Sequence, residues 1–315
     1  MSRGRTLVTG SIAYDTIMVF PDRFRNHLLA DQLHILNVCF LTPEMRREFG
    51  GTAGNIAYNL KLLGEDALLM ATVGEDIQPY LYRLERLGID AGLLKRIEGQ
   101  FTAQAFITTD LDDNQITAFH PGAMNFSHRN RIGAELGAGL AIIGPDGKQG
   151  MLEHSRQCAE HGVPFLFDPG QGLPMFSREE LLEMVRLASY VAVNDYEGKL
   201  LEEKTGRTLE SLAAELKALV ATMGAQGSVV LAGGKRHEIP AVHADAVLDP
   251  TGCGDAYRAG LLYGIARGWD WPSTGRLASV MGAIKIARRG AQNHRPAREE
   301  IEERFRRAFQ YSPWN

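Results

Sequence analysis

The sequence predicts an α/β fold, with a mostly parallel central sheet flanked by helices on both faces and a small β-sheet lid. Three observations lead there. From residue 139 onward, short apolar strand-like runs alternate with helix-length segments, the pattern of right-handed β-α-β crossovers. Two glycine-rich turns, GGTAGN at 50–55 and TGCGDA at 251–256, each run straight into a helical stretch. Residues 102–109 and 115–119 flank a turn-like 110–114, the signature of a hairpin outside that alternation.

In chain order, 6–9 reads as a buried strand ending at Gly10, with Asp15 a few residues beyond its C-terminal end, where open α/β sheets place ligand contacts. Residues 22–48 mix charge with apolar runs such as 34–41 and lack a helical period, so they are expected to be an excursion built of strands. The stretch 49–63 enters a helix whose apolar face carries Ile56, Leu60 and Leu63. A strand at 67–73 and a helix at 79–87 follow, the helix stopped by Gly88. Further strands are expected at 139–143, 164–168, 190–193 and 227–232. Helices are expected at 151–161, 178–187, 209–220, 256–267 and 274–287, and a charged amphipathic helix at 299–309 closes the chain. The whole of 1–315 reads as one domain, with a lid formed by insertions at about 15–48 and 100–120.

Composition narrows the function. Lys+Arg 34 against Asp+Glu 38 gives a net charge of −4 with no long basic block, which argues against nucleic acid as a partner. Cys39, Cys158 and Cys253 are far apart, with no CxxC zinc or redox pair, and they point to a reduced compartment. The first residues turn polar again before an apolar signal core forms, and no uninterrupted membrane-length run occurs. A soluble cytoplasmic protein without a membrane partner is therefore expected.

The chemistry concentrates at 248–263, LDPTGCGDAYRAGLLY. Gly252 and Gly254 leave backbone N–H groups uncovered, and the helix that starts there adds unpaired amides and a positive dipole end. An anion site results, with Asp255 inside it. A carboxylate is costly there unless it acts on a neighbouring hydroxyl while the amides hold developing negative charge, the division of labour of phosphoryl transfer. The P-loop pattern GxxxxGK[ST] is absent, and GPDGKQG at 144–150 has the wrong spacing.

GGTAGN at 50–55, NDYE at 194–197 and DPTGCGDAYRAG at 249–260, in this order, resemble the ribokinase-like (PfkB) family of sugar and nucleoside kinases along nearly the whole chain. The resemblance implies that Asp255 is the general base, with Gly252, Cys253 and Gly254 as the anion hole. It implies acceptor contacts at Asp15, Gly50, Gly51 and Asn55. Thr222, Gly224 and Gly227 match the nucleotide-side turn. Asn194 and Glu197 match the pattern that organises magnesium, Glu197 acting through water. Ala283, Ala287 and the 290–293 segment, Gln292 included, correspond to the region around adenine and a monovalent cation, with Asp249 as a neighbour of a potassium site. ATP and Mg2+ are thus the implied cofactors, and K+ is a candidate third. Two residues depart from the pattern: Cys253 stands in the anion turn, and Tyr257–Arg258 follow the base where Phe and a small or uncharged residue are usual.

The lid insertions bring Phe40, Phe49, Phe101, Phe106 and Phe119. Phe101 and Phe119 are the candidate partners of a purine, since aromatic faces stack on bases. With the likeness to bacterial adenosine kinases, this makes adenosine, phosphorylated at its 5′-hydroxyl, the expected acceptor. Ribose, fructose or another sugar is the alternative within the family, and a catalytically silent ligand-binding or regulatory protein the alternative outside enzymes. Either a monomer or a homodimer is compatible with a lid sheet that has free strand edges.

Overall fold

The computed structural model describes residues 4–28, 38–112 and 114–314. Strands β1 (Arg5–Thr9), β2 (Ala13–Val19) and β3 (Glu44–Gly50) precede helix α1 (Thr52–Leu62). Then come β4 (Leu68–Val73), α2 (Gln78–Leu87), β5 (Leu93–Arg96), β6 (Ala103–Thr109) and β7 (Gln115–His120). The alternating half holds β8 (Ala138–Ile143), α3 (Lys148–Glu160), β9 (Phe165–Phe167), α4 (Arg178–Leu187), β10 (Tyr190–Asn194) and α5 (Asp195–Thr205). It ends with α6 (Leu209–Ala213), β11 (Ala218–Thr222), β12 (Ser228–Ala232), β13 (Lys235–Ile239), α7 (Cys253–Arg267), α8 (Trp271–Ile286) and α9 (Arg298–Phe309).

Nine strands form one sheet in the order β13-β12-β11-β10-β9-β8-β1-β4-β5. It is parallel from β11 through β5, and β12 and β13 are antiparallel. The inner strands are mainly apolar because both faces are covered, and successive residues go to opposite cores. Val8, Ile142, Ala192 and Val220 enter the core shared with α1, α7, α8 and α9, while Leu7, Ile143, Val191 and Leu219 enter the one shared with α3, α4 and α5. Strand order reverses at β1, whose neighbours are β8 and β4. The C-terminal ends on either side of such a reversal form the crevice in which open α/β sheets bind ligands.

The second sheet has the order β3-β2-β6-β7 and is the expected lid sheet. Asp15 lies inside β2 of this sheet, opposite Glu48 of β3 and Ala105 of β6, and so is not in the loop beyond β1. Of the strands expected in 22–48, β3 falls at the end, and the 34–41 run lies partly outside the described residues.

The helix expected over 209–220 is in fact α6 followed by β11. The run Ala218-Leu219-Val220 is completely buried in the sheet, a place that apolar and β-branched side chains fill well. Besides β11, four elements had no counterpart in the sequence reading: β2, which precedes the expected excursion, the edge strands β5 and β13, and helix α5. The two edge strands, β5 and β13, expose most of their polar residues, because an edge strand needs less apolar character. Helix α5 buries little beyond Glu197, Gly198, Leu201 and Thr205, so its apolar period is faint.

Helices α7 and α8 pack at close range because Gly260 and Gly264, one turn apart, face them together. A Cβ on Gly260 would lie 2.5 Å from the Ala278 Cα, and one on Gly264 would lie 2.5 Å from the Thr274 Oγ1. Gly260→Val therefore pushes side chain into backbone, and it is expected to destabilise the fold by about 3 kcal/mol or more. Urea unfolding measures this; an unchanged midpoint refutes the close packing.

Candidate active site

Asp255 is the third residue of α7, whose N-cap, Gly252, holds the left-handed conformation at φ 79°. A Cβ at Gly252 would meet that of Ala291 at 2.8 Å, whereas one at Gly254 would find only the Arg258 Nη1, at 3.7 Å. The turn thus needs glycine at 252, and the space over Gly254 is left open by the protein itself. The Cys253 amide donates to the Pro250 carbonyl at 3.1 Å, which takes it out of the expected anion hole. The Gly252, Gly254 and Asp255 amides have no backbone acceptor among the described residues, and they are the donors left to hold an anion. Burial pushes the Cys253 thiol up to about 11, so it stays protonated.

The base candidate is held from the side. Asn55, in the first turn of α1, donates its Nδ2 to the Asp255 Oδ2 at 2.7 Å. Its Oδ1 accepts from the Gln292 Nε2 at 3.0 Å, and the same nitrogen donates to the Tyr80 hydroxyl at 2.7 Å, which in turn donates to the Gly50 carbonyl at 2.9 Å. Gln292, expected on the nucleotide side, is instead buried behind Asn55 as its support. Tyr80, a fully buried residue of α2, was missed in the sequence because nothing separates it there from a core aromatic.

Removal from water pushes Asp255 up to about 6, against the Asn55 hydrogen bond. Asp168 and Asp15 add to the rise, and Arg258 opposes it. Asp15 is likewise raised to about 6 by burial, then by Glu48 and Asp249. A Cβ on Gly50 would sit 2.7 Å from the Asp15 Oδ2, so glycine there makes room for the carboxylate. Gly51, at φ 87°, turns the chain against Ser11 and Ala13. The Asp15 carboxylate, on the small sheet, is thus close enough for its charge to be felt at Asp255.

Arg258, one turn after the base, is neither solvated nor loose. It is buried, with Nε 3.0 Å and Nη2 3.3 Å from the two Asp168 carboxylate oxygens, and with Nη2 3.9 Å from the Glu197 Oε2. Asp168 follows directly on β9, and its partner lies 90 residues away, a pairing that no local pattern marks. Asn194 and Glu197 form a reciprocal capping box at the start of α5. The Glu197 amide donates to the Asn194 Oδ1 at 2.7 Å, and the Asn194 amide to the Glu197 Oε2 at 2.8 Å. Burial, reinforced by Asp168, raises the Glu197 pKa. Asn194 pairs in register with Thr222, so these residues and the Gly224–Gly227 turn line up along the C-terminal sheet edge beside α7.

The lid aromatics divide. Phe40 packs on Phe20 and Phe24, with ring centroids 4.8 and 5.1 Å apart, and Phe49 packs on Tyr80 at 5.1 Å. Phe106 sits one register position off Asp15 and so on the opposite face, where Phe101, Phe106, Gln104, His120 and Arg47 line a hollow. Phe101 is therefore not brought to the Asp15 side. Phe119 pairs with Ala105, which pairs with Asp15. It shares the Asp15 face and is 53% exposed.

A larger cavity, of about 760 Å³, opens at the other end of the sheet among Arg5, Lys61, Glu65 and Asp66. It is remote from every residue above. Among the described residues no helix is long and apolar enough to cross a membrane.

Comparison with known proteins bears on the family and the fold. Residues 22–298 match the pfkB family carbohydrate kinase profile. The chain is 31% identical to a nucleoside kinase of Methanocaldococcus jannaschii, over 85% of this chain and 89% of that protein, and 31% identical to one of Methanothermobacter thermautotrophicus, over 99% of each. Its structure is similar to that of Burkholderia thailandensis nucleoside kinase in complex with inosine, with a TM-score of 0.89 and 54% identity over 98% of this chain and 99% of that one.

Arg258→Met leaves the Asp168 carboxylate buried and unpaired, and a loss of about 3–5 kcal/mol is expected in denaturant unfolding. Without the guanidinium, the Asp255 pKa should also move further up, as read by carboxylate NMR titration. Unchanged stability would mean that the ion pair is not formed in solution.

Proposed function

The chain belongs to the pfkB family of carbohydrate kinases and performs ATP-dependent phosphotransfer to a nucleoside or sugar, and on that premise we propose that the acceptor is a purine nucleoside, phosphorylated at its ribose 5′-hydroxyl. The observation that carries the reading is the union of Asp255, Asn55 and the open, amide-lined turn at 252–255, facing Asp15 beneath the lid.

In this reading Asp255 is the general base. It takes the proton of the acceptor hydroxyl as that oxygen attacks the γ-phosphorus of ATP, and the bond from phosphorus to the bridging oxygen breaks with ADP as leaving group. The free amides of Gly252, Gly254 and Asp255 hold the transferring group, and the absent side chain at Gly254 lets it approach the backbone. Asn55 positions Asp255. Asp15 accepts hydrogen bonds from ribose hydroxyls, which orients the primary hydroxyl toward the base. Thr222 and the Gly224–Gly227 turn lie on the nucleotide side.

Magnesium fits this arrangement when the nucleotide supplies most of its ligands. The described residues hold no cluster of three or more His, Cys, Asp or Glu side chains suited to a metal ion, and the Glu197 Oε2 already caps α5, so Glu197 acts through water. The ion supplies neutralisation of phosphate charge during transfer. Phe119, on the Asp15 face, stacks on the base. The adenosine expected from the sequence and the inosine named for the Burkholderia thailandensis complex both suit such a slot.

Two outcomes test this reading. Asp255→Asn should preserve the fold and lower kcat by about 10²-fold or more. In the unmodified protein, kcat/KM should fall about tenfold per pH unit once pH drops below about 6, because the active base is the deprotonated form and its pKa lies above the ordinary aspartate value. Asp15 titrates in the same range, so the limb belongs to the pair, and Asp15→Asn should move it to lower pH, because the Asp15 charge helps to raise Asp255. A limb centred near 4 would remove the raised base.

Substrate class is read from kcat/KM for adenosine, inosine, guanosine, cytidine, ribose and fructose with ATP and magnesium. Purine nucleosides should lead. Phe119→Ala should cost them roughly 5- to 150-fold, from about 1–3 kcal/mol of stacking, while sparing ribose. A tenfold preference for ribose or fructose would overturn the nucleoside assignment and leave Asp255 as the base.

A further inference from the structure

The sequence placed Asp249 beside a potassium site, and the structure puts a side chain there instead. The amides of Leu248 and Asp249 donate to the Ile286 carbonyl at 2.9 and 3.2 Å, fastening the irregular segment that leads into the anion turn to the end of α8. The Asp249 carboxylate accepts from the Thr251 amide at 2.9 Å and the Gly290 amide at 2.8 Å, which fastens the turn after α8 as well. Between these two segments lies Lys285, in the last turn of α8 and 0% exposed. Its Nζ donates to the Asp249 carbonyl at 2.7 Å and to the Arg288 carbonyl at 3.2 Å.

A completely buried lysine is rare, because an ammonium loses its hydration unless polar groups replace it. Here two carbonyl oxygens do so; burial lowers the pKa of the ammonium, and the charges of Asp249 and Asp255 oppose that and favour the protonated form. The carbonyl oxygens a monovalent cation would need at Asp249 are therefore engaged by the protein's own ammonium. The residues present do not fit a diffusible K+ at this place.

We propose that Lys285 is a tethered cation, a positioning residue that fixes the Asp249 segment and supplies positive charge behind the anion turn, so that phosphoryl transfer by this chain needs no monovalent cation. The close packing of α7 on α8 through Gly260 brings the ammonium within electrostatic reach of the turn. The proposal rests on the phosphotransfer assignment but not on which acceptor is used.

The test compares choline chloride with potassium chloride at equal ionic strength, with any acceptor that turns over. The unmodified protein should show the same kcat in both within about twofold, and a thermal midpoint indifferent to the exchange. Lys285→Met keeps the stem and removes the charge. It should lose at least about tenfold in kcat in choline, regain activity with K+ or NH4+, and show a midpoint raised by K+ over choline, as binding to the folded state requires. That midpoint reads without turnover, so this proposal and the kinase reading fail separately.

Activation of the unmodified protein by K+ of about tenfold or more would overturn the proposal. So would a folded Lys285→Met with full activity in choline. A loss that no monovalent cation restores, in activity or in midpoint, would overturn it too, since a purely structural strut behaves that way. If Lys285→Met does not fold, Lys285→Gln is read in the same way, and the cation response of the unmodified protein decides alone.

Discussion

The hydrogen bond from the Asn55 amide to the Asp255 carboxylate, 2.7 Å long, joins two glycine-rich turns that are 200 residues apart in the chain. Each turn opens a helix, and those helices, α1 and α7, lie in the same core on one face of the sheet. The contact therefore depends on α1 and α7 packing correctly on that face, and it brings the two glycine-rich turns together near the strand-order reversal. Gln292 and Tyr80 extend the constraint to the C-terminal segment and to Gly50. A buried network of this kind is effective only when every member is satisfied, and here the amide oxygen, amide nitrogen and hydroxyl all find partners.

Charge imposes the second constraint. Asp15, Asp168, Glu197 and Asp255 lie close enough for their charges to be felt by one another, and negative charge gathered in this way repels a polyanion. The buried cations lie behind these carboxylates rather than in the crevice. Arg258 spans Asp168 and approaches Glu197, and Lys285 is coupled to Asp249 and Asp255. Two carboxylates, Asp15 and Asp255, keep pKa values raised to about 6. Their elevation is a direct result of burial without a full cationic partner, and it is the condition a base needs to accept a proton readily near neutrality.

Local signals survive in sequence when the residue type is dictated by the backbone. Gly252 was legible because its left-handed φ and the nearness of Ala291 exclude a side chain. The parallel strands were legible because burial on both faces demands continuous apolar runs. Helix boundaries at Gly88 and Arg178 followed from a left-handed C-cap and a serine N-cap with its reciprocal glutamate. The run across 209–220 was misread because a short helix and a buried strand adjoin there without punctuation, and the edge strands β5 and β13 because solvent removes the pattern that marks inner strands.

The chain by itself determined the α/β class and the two glycine turns, with Asp255 inside the second, since those depend on residue types at short spacing. Tertiary structure alone decided what surrounds them. It turned Gln292 inward to hold Asn55, withdrew the Cys253 amide into its turn, put Phe119 but not Phe101 on the Asp15 face, and filled the carbonyl site at Asp249 with the Lys285 ammonium. The reason is physical: side-chain identity says which bonds a group is able to make. Only the packing of α8 on α7, and the register of β2, β6 and β7, fixes which partner stands within 3 Å of it.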